Sequence, residues 1–310
     1  MLDTPLTPPM LRPSPTGRGV VQFNRLLTDA EFALLANWLR AYPEMTLRAY
    51  GSYDRSIRDL EFLRFFPFLR RFAADALYDS LTSLDGLRHL PPDLEGLGIG
   101  VTRHPLDLAM IERFGALRTL FLEGQTRNIE VVSRLEALED LTLRSITLPD
   151  LSLLLPLRRL VSLDLKLGGT KDLGLLPRVG RLRYLELWLI KGLSDVSAIA
   201  ELPELRYLFL QALRRVEALP HLRSAMSLRR IHLETMKGLR DLRPLATAPA
   251  LEELELVDMS QLQVHDLRPL IGLPNLRAAS LGLGSVRRNE AAASLLGLPP
   301  VKGSFDWRAD

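Results

Sequence analysis

Cysteine is absent from this 310-residue sequence. That absence excludes disulfide bonds, thiolate metal sites and cysteine nucleophiles, and it suits a reducing compartment, so we expect a cytoplasmic protein. The first residues, MLDTPLTPPMLRPSPTG, lack the continuous apolar stretch of a secretion signal, and no run of eighteen apolar residues occurs in the chain. We therefore expect a protein that is neither exported nor associated with a membrane.

Motifs of the common catalytic sites are also missing. The sequence has no HExxH, G-x-S-x-G or GxxxxGK[ST] pattern, and its five histidines do not share a metal-binding spacing. We expect no catalytic residues, no cofactor and no metal. One enzyme hypothesis stays open as an alternative, an acid–base site formed by His232 with Glu234 and Glu255.

A charge excess of one sign is lacking as well. The chain has 40 basic and 37 acidic residues, a net charge of +3, and the two signs are interleaved along the sequence. Nucleic-acid binding normally needs a basic tract or face, so we expect no nucleic-acid partner.

A repeated pattern fills most of the chain. The string L-x-x-L-x-L recurs at intervals of 21 to 25 residues. A fixed period in this range is typical of a solenoid, in which each unit buries its apolar face against its neighbours. Within each copy the alternation of apolar and polar residues predicts a short strand, and stacked copies predict a parallel sheet. We call the first leucine of each copy its anchor, and the anchors are Leu69, Leu94, Leu117, Leu138, Leu160, Leu182, Leu205, Leu228, Leu251 and Leu276.

The residues before each anchor predict a helical turn. An Asp or Asn stands about ten residues upstream in most copies, and apolar residues follow at a spacing of three. Asp and Asn cap helix N-termini, so each coil is predicted to contain a short helical or 3-10 turn. The Leu228 copy has Ala218 at the capping position and is the weakest of the set.

The stretch LSDVSAIAELPELRYLFL, residues 193–210, resembles the leucine-rich repeat of bacterial internalins, whose units are about 22 residues long. The resemblance covers about residues 57–285. It implies an α/β solenoid, a right-handed superhelix with a parallel concave β-sheet and short helical or 3-10 turns on the convex side. It also implies binding of another protein on the concave face. The sequence departs from the family pattern eight residues after the anchor, where Asn is usual and this chain has Gln125 and, in other copies, mostly apolar residues.

The segments outside the repeats predict covered ends for the solenoid. Residues 1–19 are predicted to be a flexible proline-rich tail, and residues 20–56 an N-terminal cap with a helix begun by the capping box of Thr28 and Glu31. Residues 286–310 are predicted to be a C-terminal cap, with a helix capped by Asn289 and ended by Gly297. The last residues, 301–307, are expected to close the final coil.

Strand positions that face outward are the candidate binding residues. Four aromatic residues fall on two adjacent strands of the predicted sheet, between polar and charged flanks. An aromatic centre with a polar rim is typical of a protein interface, although such rings also cover one another on a broad sheet. The predicted protein-binding residues are Tyr184, Glu186, Trp188, Tyr207, Phe209, Arg230, His232, Glu234 and Glu255.

Two further patterns have a simpler explanation than a ligand site. Gly96, Gly98 and Gly100 resemble part of a phosphate-binding loop, but they occupy outward strand positions of one repeat, where they either leave bare backbone for a partner or are merely tolerated. Arginines directly after several anchors form a row that alternates with acidic residues, as a solvated rim would. The sequence therefore predicts a non-catalytic protein-binding module, and an immunity or inhibitor protein that blocks a toxin or enzyme is the narrower alternative.

Overall fold

The computed structural model describes residues 5–12 and 16–308. Part of the predicted N-terminal tail, residues 1–4 and 13–15, lies outside the described residues. The chain forms two compact units, the first ending at Arg144 and the second beginning at Ser145.

The first unit is a parallel sheet whose strands follow one another in chain order. Its strands are β1 (Gly19–Phe23), β2 (Met45–Tyr50), β3 (Arg71–Ala76), β4 (Gly96–Ile99), β5 (Thr119–Glu123) and β6 (Asp140–Arg144), and its α-helix is α1 (Asp29–Leu39). The connections contain 3-10 helices at Glu61–Phe65, Asp85–His89, Ala109–Arg113 and Ile129–Arg134, and another lies at Pro8–Met10.

The second unit repeats this arrangement. Its strands are β7 (Ser162–Lys166), β8 (Tyr184–Trp188), β9 (Tyr207–Gln211), β10 (Arg230–Glu234), β11 (Glu253–Val257) and β12 (Ala278–Leu281), and α2 (Val286–Leu296) follows them. Its 3-10 helices are Ser152–Leu154, Leu176–Arg178, Ser197–Glu201, Arg243–Thr247 and Val264–Leu270.

The predicted repeat register is confirmed in both units, because each strand from β3 to β12 begins two residues after its anchor. In the repeat that contains β9, for example, Leu205, Leu208 and Leu210 are at most 1% exposed and form the core. Burying each such side chain contributes about 1.5–3 kcal/mol relative to exposing it. The leucine-rich repeat solenoid predicted from the sequence is therefore the observed fold.

The N-terminal region extends the sheet of the first unit. The Thr28 hydroxyl accepts the Glu31 amide hydrogen and the Glu31 carboxylate accepts that of Thr28, so the predicted capping box is present. Strand β1 pairs with β2 in parallel, which the repeat pattern did not predict. Phe32 of α1 stacks on Phe62 at 5.2 Å between ring centroids. These rings close the core at this end of the unit.

The capping aspartates behave largely as predicted. Asp195 accepts the Ser197 amide hydrogen at 2.8 Å, which begins a 3-10 helix, and the equivalent contact is made by Asp59, Asp107, Asp150, Asp172 and Asp241. Asn128 is an exception, since it adopts a left-handed conformation and donates its amide to Asp107. The coil with Ala218 has no 3-10 helix between β9 and β10. The missing carboxylate leaves that turn without its usual N-terminal acceptor.

A left-handed residue directly follows each strand from β6 to β11. Ser145, Leu167, Leu189, Ala212, Thr235 and Asp258 all have φ between 49° and 57°, seven residues after their anchors. The first five donate their backbone N–H to a carbonyl of the next coil, as Leu189 does to Gln211 at 2.8 Å. The strand ladder thus continues for one residue beyond each strand, without the asparagine of the family pattern. In the first unit, Gln125 partly replaces that asparagine, accepting the Leu106 N–H and donating to the Gly100 carbonyl.

The predicted start of the C-terminal helix is wrong. Helix α2 begins at Val286 with Ser285 as its N-cap, whereas Asn289 lies inside the helix and its side chain accepts the Leu283 N–H. The predicted end is confirmed, since Gly297 adopts the left-handed conformation with φ of 65°.

Candidate functional site

The outward side chains of β7–β12 form one surface of the second unit, which we call the strand face. Neighbouring strands place Tyr184 beside Tyr207 and Tyr207 beside Arg230. The next outward row is Glu186, Phe209, His232 and Glu255, and the third contains Trp188, Gln211 and Glu234. All nine predicted site residues therefore lie together on the strand face.

Aromatic rings occupy the centre of this surface. The Tyr184 and Tyr207 rings meet edge to face with centroids 5.2 Å apart, as their predicted adjacency required. Phe209 stacks on His232 with a centroid distance of 4.1 Å. The pairs form because parallel strands in register bring outward side chains within contact distance.

Arg230 is a buried charge that organises the surface beside the rings. Its side chain is only 6% exposed, and it pairs with Glu255 at 2.7 Å and with Glu253 at 3.3 Å. Its guanidinium also lies 5.2 Å from the centre of the Tyr207 ring. A buried guanidinium needs such partners because desolvation of an unpaired charge is costly. Arg230 therefore holds the orientation of neighbouring side chains on the strand face.

A second polar group fixes Tyr184. Its hydroxyl donates to Glu186 at 2.9 Å, and the Glu186 carboxylate also pairs with Lys166 at 2.9 Å. Burial, followed by the negative charges of Asp164 and Glu186, raises the pKa of the Tyr184 hydroxyl well above its usual range. Tyr184 thus remains a neutral hydrogen-bond donor over the physiological pH range.

His232 lies between two carboxylates, Glu255 at 3.2 Å from Nδ1 and Glu234 at 3.5 Å from Nε2. Burial nevertheless lowers the pKa of the imidazole, and the attraction of the two carboxylates offsets only part of this effect. His232 is therefore neutral near pH 7, held by its stacking on Phe209. Phe209, Arg230 and the carboxylates of Glu234 and Glu255 surround His232, and the hydroxyl that follows Glu255 in this row, that of Ser280, accepts the Val301 N–H.

The C-terminal segment, which we define as residues 301–308, covers the middle of the strand face. The Gly303 carbonyl accepts a hydrogen bond from Arg230 at 3.4 Å. The Phe305 ring meets Tyr207 edge to face at 5.9 Å, and the Trp307 ring lies 5.4 Å from Tyr184. The expectation that residues 301–307 close the final coil is wrong beyond Val301, whose N–H donates to Ser280 of β12.

Sequence reasoning missed this contact because the tail returns to strands far away in the sequence. The bond from Arg230 to Gly303 joins residues 73 positions apart. The one available signal was the pair Phe305 and Trp307, two aromatic residues in a short segment after the last repeat.

The glycine row of β4 is not bare backbone. Gly96, Gly98 and Gly100 are buried, and a side chain at Gly100 would lie 2.1 Å from the Asp75 carbonyl oxygen. A side chain at Gly98 would lie 3.3 Å from Ala73 of the neighbouring strand. Close packing between coils therefore requires a glycine at position 100 and leaves little room at 96 and 98, and the expectation of open backbone for a partner is wrong.

The arginines after the anchors pair with acidic residues of adjacent coils. Arg118 donates to Glu139 at 2.7 Å, and Arg70 pairs with Glu95 at 2.5 Å. Arg277 pairs in the same way with Glu252. These contacts neutralise much of the positive charge that a phosphate backbone would need.

Comparison with known proteins identifies the fold. No protein-family model matches this chain. A leucine-rich repeat protein of Leptospira interrogans superposes with a TM-score of 0.57 at 18% identity, covering 90% of this chain and 69% of its own. An internalin of Listeria monocytogenes superposes with a TM-score of 0.53 at 18% identity, covering 83% of this chain and 78% of its own. These likenesses confirm the leucine-rich repeat fold and, at this identity, only the fold.

One curated sequence matches part of the chain. Nodulation protein A of Rhizobium tropici is 36% identical over 91 residues, which are 29% of this chain and 41% of that protein. The match therefore spans about two fifths of that relative and assigns no activity to this chain. Within residues 5–12 and 16–308, no helix is long and apolar enough to cross a bilayer.

Proposed function

We propose that this chain is a non-catalytic protein-binding module that holds its partner on the strand face, around β8 to β11. The observation that carries the proposal is the aromatic centre of Tyr184, Tyr207 and Phe209, surrounded by ordered charged residues. Aromatic side chains with a polar rim supply most of the binding energy in protein interfaces. Binding a partner protein on the strand face does not require the narrow cleft that binding a small-molecule substrate requires.

The rigidity of the surface supports the same proposal. Each candidate side chain projects from a strand, and Tyr184 and Arg230 are fixed by ion pairs or hydrogen bonds on that strand or the next. A surface that is ordered before binding loses less side-chain entropy when a partner arrives.

Site-specific photo-cross-linking tests this proposal. A benzophenone amino acid replaces Val257, which is on the strand face and 39% exposed, and in a control chain it replaces Ile271, which is 52% exposed beside a 3-10 helix. In cells that make the protein, we expect one defined adduct from position 257 and none from position 271. Equal adducts from both positions, or none from 257, would contradict the proposal.

The immunity or inhibitor role is a narrower form of the proposal. Once the cross-linked protein is identified, its activity is measured with and without the full chain. Loss of that activity at stoichiometric amounts is the result expected of an inhibitor, and unchanged activity is the result expected of a scaffold.

A further inference from the structure

The C-terminal segment lies on the strand face in an alternating pattern. Phe305 and Trp307 are partly buried against the sheet, whereas Ser304, Asp306 and Arg308 are exposed. Gly303 is left-handed with φ of 69°, and the Trp307 N–H donates to the Phe305 carbonyl at 3.1 Å, so a bent backbone directs alternate side chains at the sheet. The segment therefore occupies the strand face as a short, turned peptide ligand would.

The surface under the segment is held in place by its own strands. Tyr184 is fixed by its hydrogen bond to Glu186, and Arg230 by its two glutamates. None of these contacts involves residues 301–308. Two aromatic positions and one hydrogen-bond donor are thus built into the sheet, and Trp307, Phe305 and the Gly303 carbonyl satisfy them.

The segment contacts the sheet through its rings and one carbonyl, and leaves other groups accessible. Two ring pairs and one hydrogen bond of 3.4 Å join it to β8–β10, while Lys302, Gly303 and Ser304 are exposed. Each ring pair changes an equilibrium by about tenfold or less. A partner that makes the same contacts and further ones can therefore displace the segment.

We infer that the strand face recognises a short peptide segment carrying two aromatic side chains two residues apart, and that residues 303–307 occupy this site in the free chain until such a segment of the partner protein displaces them. This inference rests on the proposed function and adds the chemistry of the partner and a competitor built into the chain. Because residues 303–307 are tethered to the site, their effective concentration there is in the millimolar range. The apparent Kd for the partner is the intrinsic Kd divided by the fraction of chains whose site is unoccupied.

The first test uses a fluorescein-labelled peptide with the sequence of residues 302–308, KGSFDWR, and fluorescence polarisation. The full chain with Phe305→Ala and Trp307→Ala is compared with the wild-type chain. We expect the double variant to bind the peptide at least about tenfold more tightly, because its site is no longer occupied. The matched control chain carries Lys302→Ala, at an exposed position of the same segment, and should behave like the wild type.

Specificity is checked with the peptide KGSADAR, which should not bind either chain. Equal affinity of the wild type and the double variant for KGSFDWR would overturn the inference, as would binding of KGSADAR. A wild-type dimer that depends on concentration and is lost in the double variant would also overturn it, by assigning the segment to a second copy of the chain.

A second measurement does not depend on variants of the aromatic residues. Because the chain has no cysteine, Ser304→Cys introduces one thiol for an environment-sensitive fluorophore on the exposed side of the segment. Excess unlabelled KGSFDWR should change its emission, and the same label at exposed Ser224→Cys should not respond. No response at position 304 would contradict displacement. If both peptide tests fail while the adduct at position 257 persists, the inference fails and the proposed function stands.

Discussion

Gln125 illustrates how a single residue replaces a family feature. It is fully buried and makes three hydrogen bonds, accepting from the Leu106 N–H at 2.6 Å and donating to the Gly100 carbonyl and the Thr102 hydroxyl. Its position was predicted to depart from the family pattern, yet its amide satisfies buried backbone groups. Buried polar groups that lose their partners carry the full cost of desolvation.

We therefore predict that Gln125→Met lowers the free energy of unfolding by about 2–3 kcal/mol, because the buried Leu106 N–H and Gly100 carbonyl lose their partner while the volume is nearly kept. Urea unfolding followed by circular dichroism measures the change. Ile146→Met, at the equivalent position of the next coil, is the control and should cost less than about 1.5 kcal/mol. Equal losses for the two variants would show that the hydrogen bonds contribute little.

His232 gives a prediction about pH. Burial lowers its pKa in the folded chain, against the pull of Glu255 and Glu234 and with a small contribution from Arg230. The unfolded chain therefore takes up the proton first, so stability is present above about pH 6.5 and is lost as the pH falls towards the lowered pKa. Between pH 7.5 and 5.5 the wild type should lose more of its free energy of unfolding than His232→Gln. Parallel pH profiles for the two chains would contradict this assignment.

At the scale of the element, the local pattern predicted the strands well and the helix ends less well. The start of each strand from β3 to β12 followed from the anchor leucines, because alternation of inward and outward side chains is a local property. The start of α2 did not follow, since Ser285 and Asn289 are both good N-cap residues and only the packing of the preceding coil selects Ser285. The left-handed residues after β6 to β11 were also not predicted, because Leu, Ala and Thr rarely adopt that conformation.

The left-handed residues after these strands predict a stabilising substitution. Ala212 has φ of 55°, a conformation that costs an L-residue about 1 kcal/mol more than glycine. Ala212→Gly should therefore raise the free energy of unfolding by up to about 1 kcal/mol. Ala278→Gly in the ordinary backbone of β12 is the control and should lower it by about 0.5–1 kcal/mol. Thermal and urea unfolding check both signs, and destabilisation by Ala212→Gly would refute the strain argument.

At the scale of the whole molecule, the candidate site is tested at Trp188, a member of the strand face for which a large effect on partner binding is expected. Trp188 is partly exposed at the end of β8, and a tryptophan at the centre of an interface contributes about 2 kcal/mol or more. Trp188→Ala should therefore weaken partner binding by about thirtyfold. The affinity of the purified partner is measured by calorimetry, with Met226→Ala, 63% exposed and away from the strands, as the control. An unchanged affinity would remove Trp188 from the proposed site.

The sequence by itself determined the repeat, its register, the inward leucines and the set of outward side chains, because each depends on residues close together in the chain. Only the tertiary structure decided that Arg230 and Glu186 are buried within ion-pair clusters and that residues 303–307 lie over Tyr184 and Tyr207. The contacts of residues 303–307 with these strands join residues at least 73 positions apart in the sequence. No local periodicity encodes where a tail without a repeat of its own will dock.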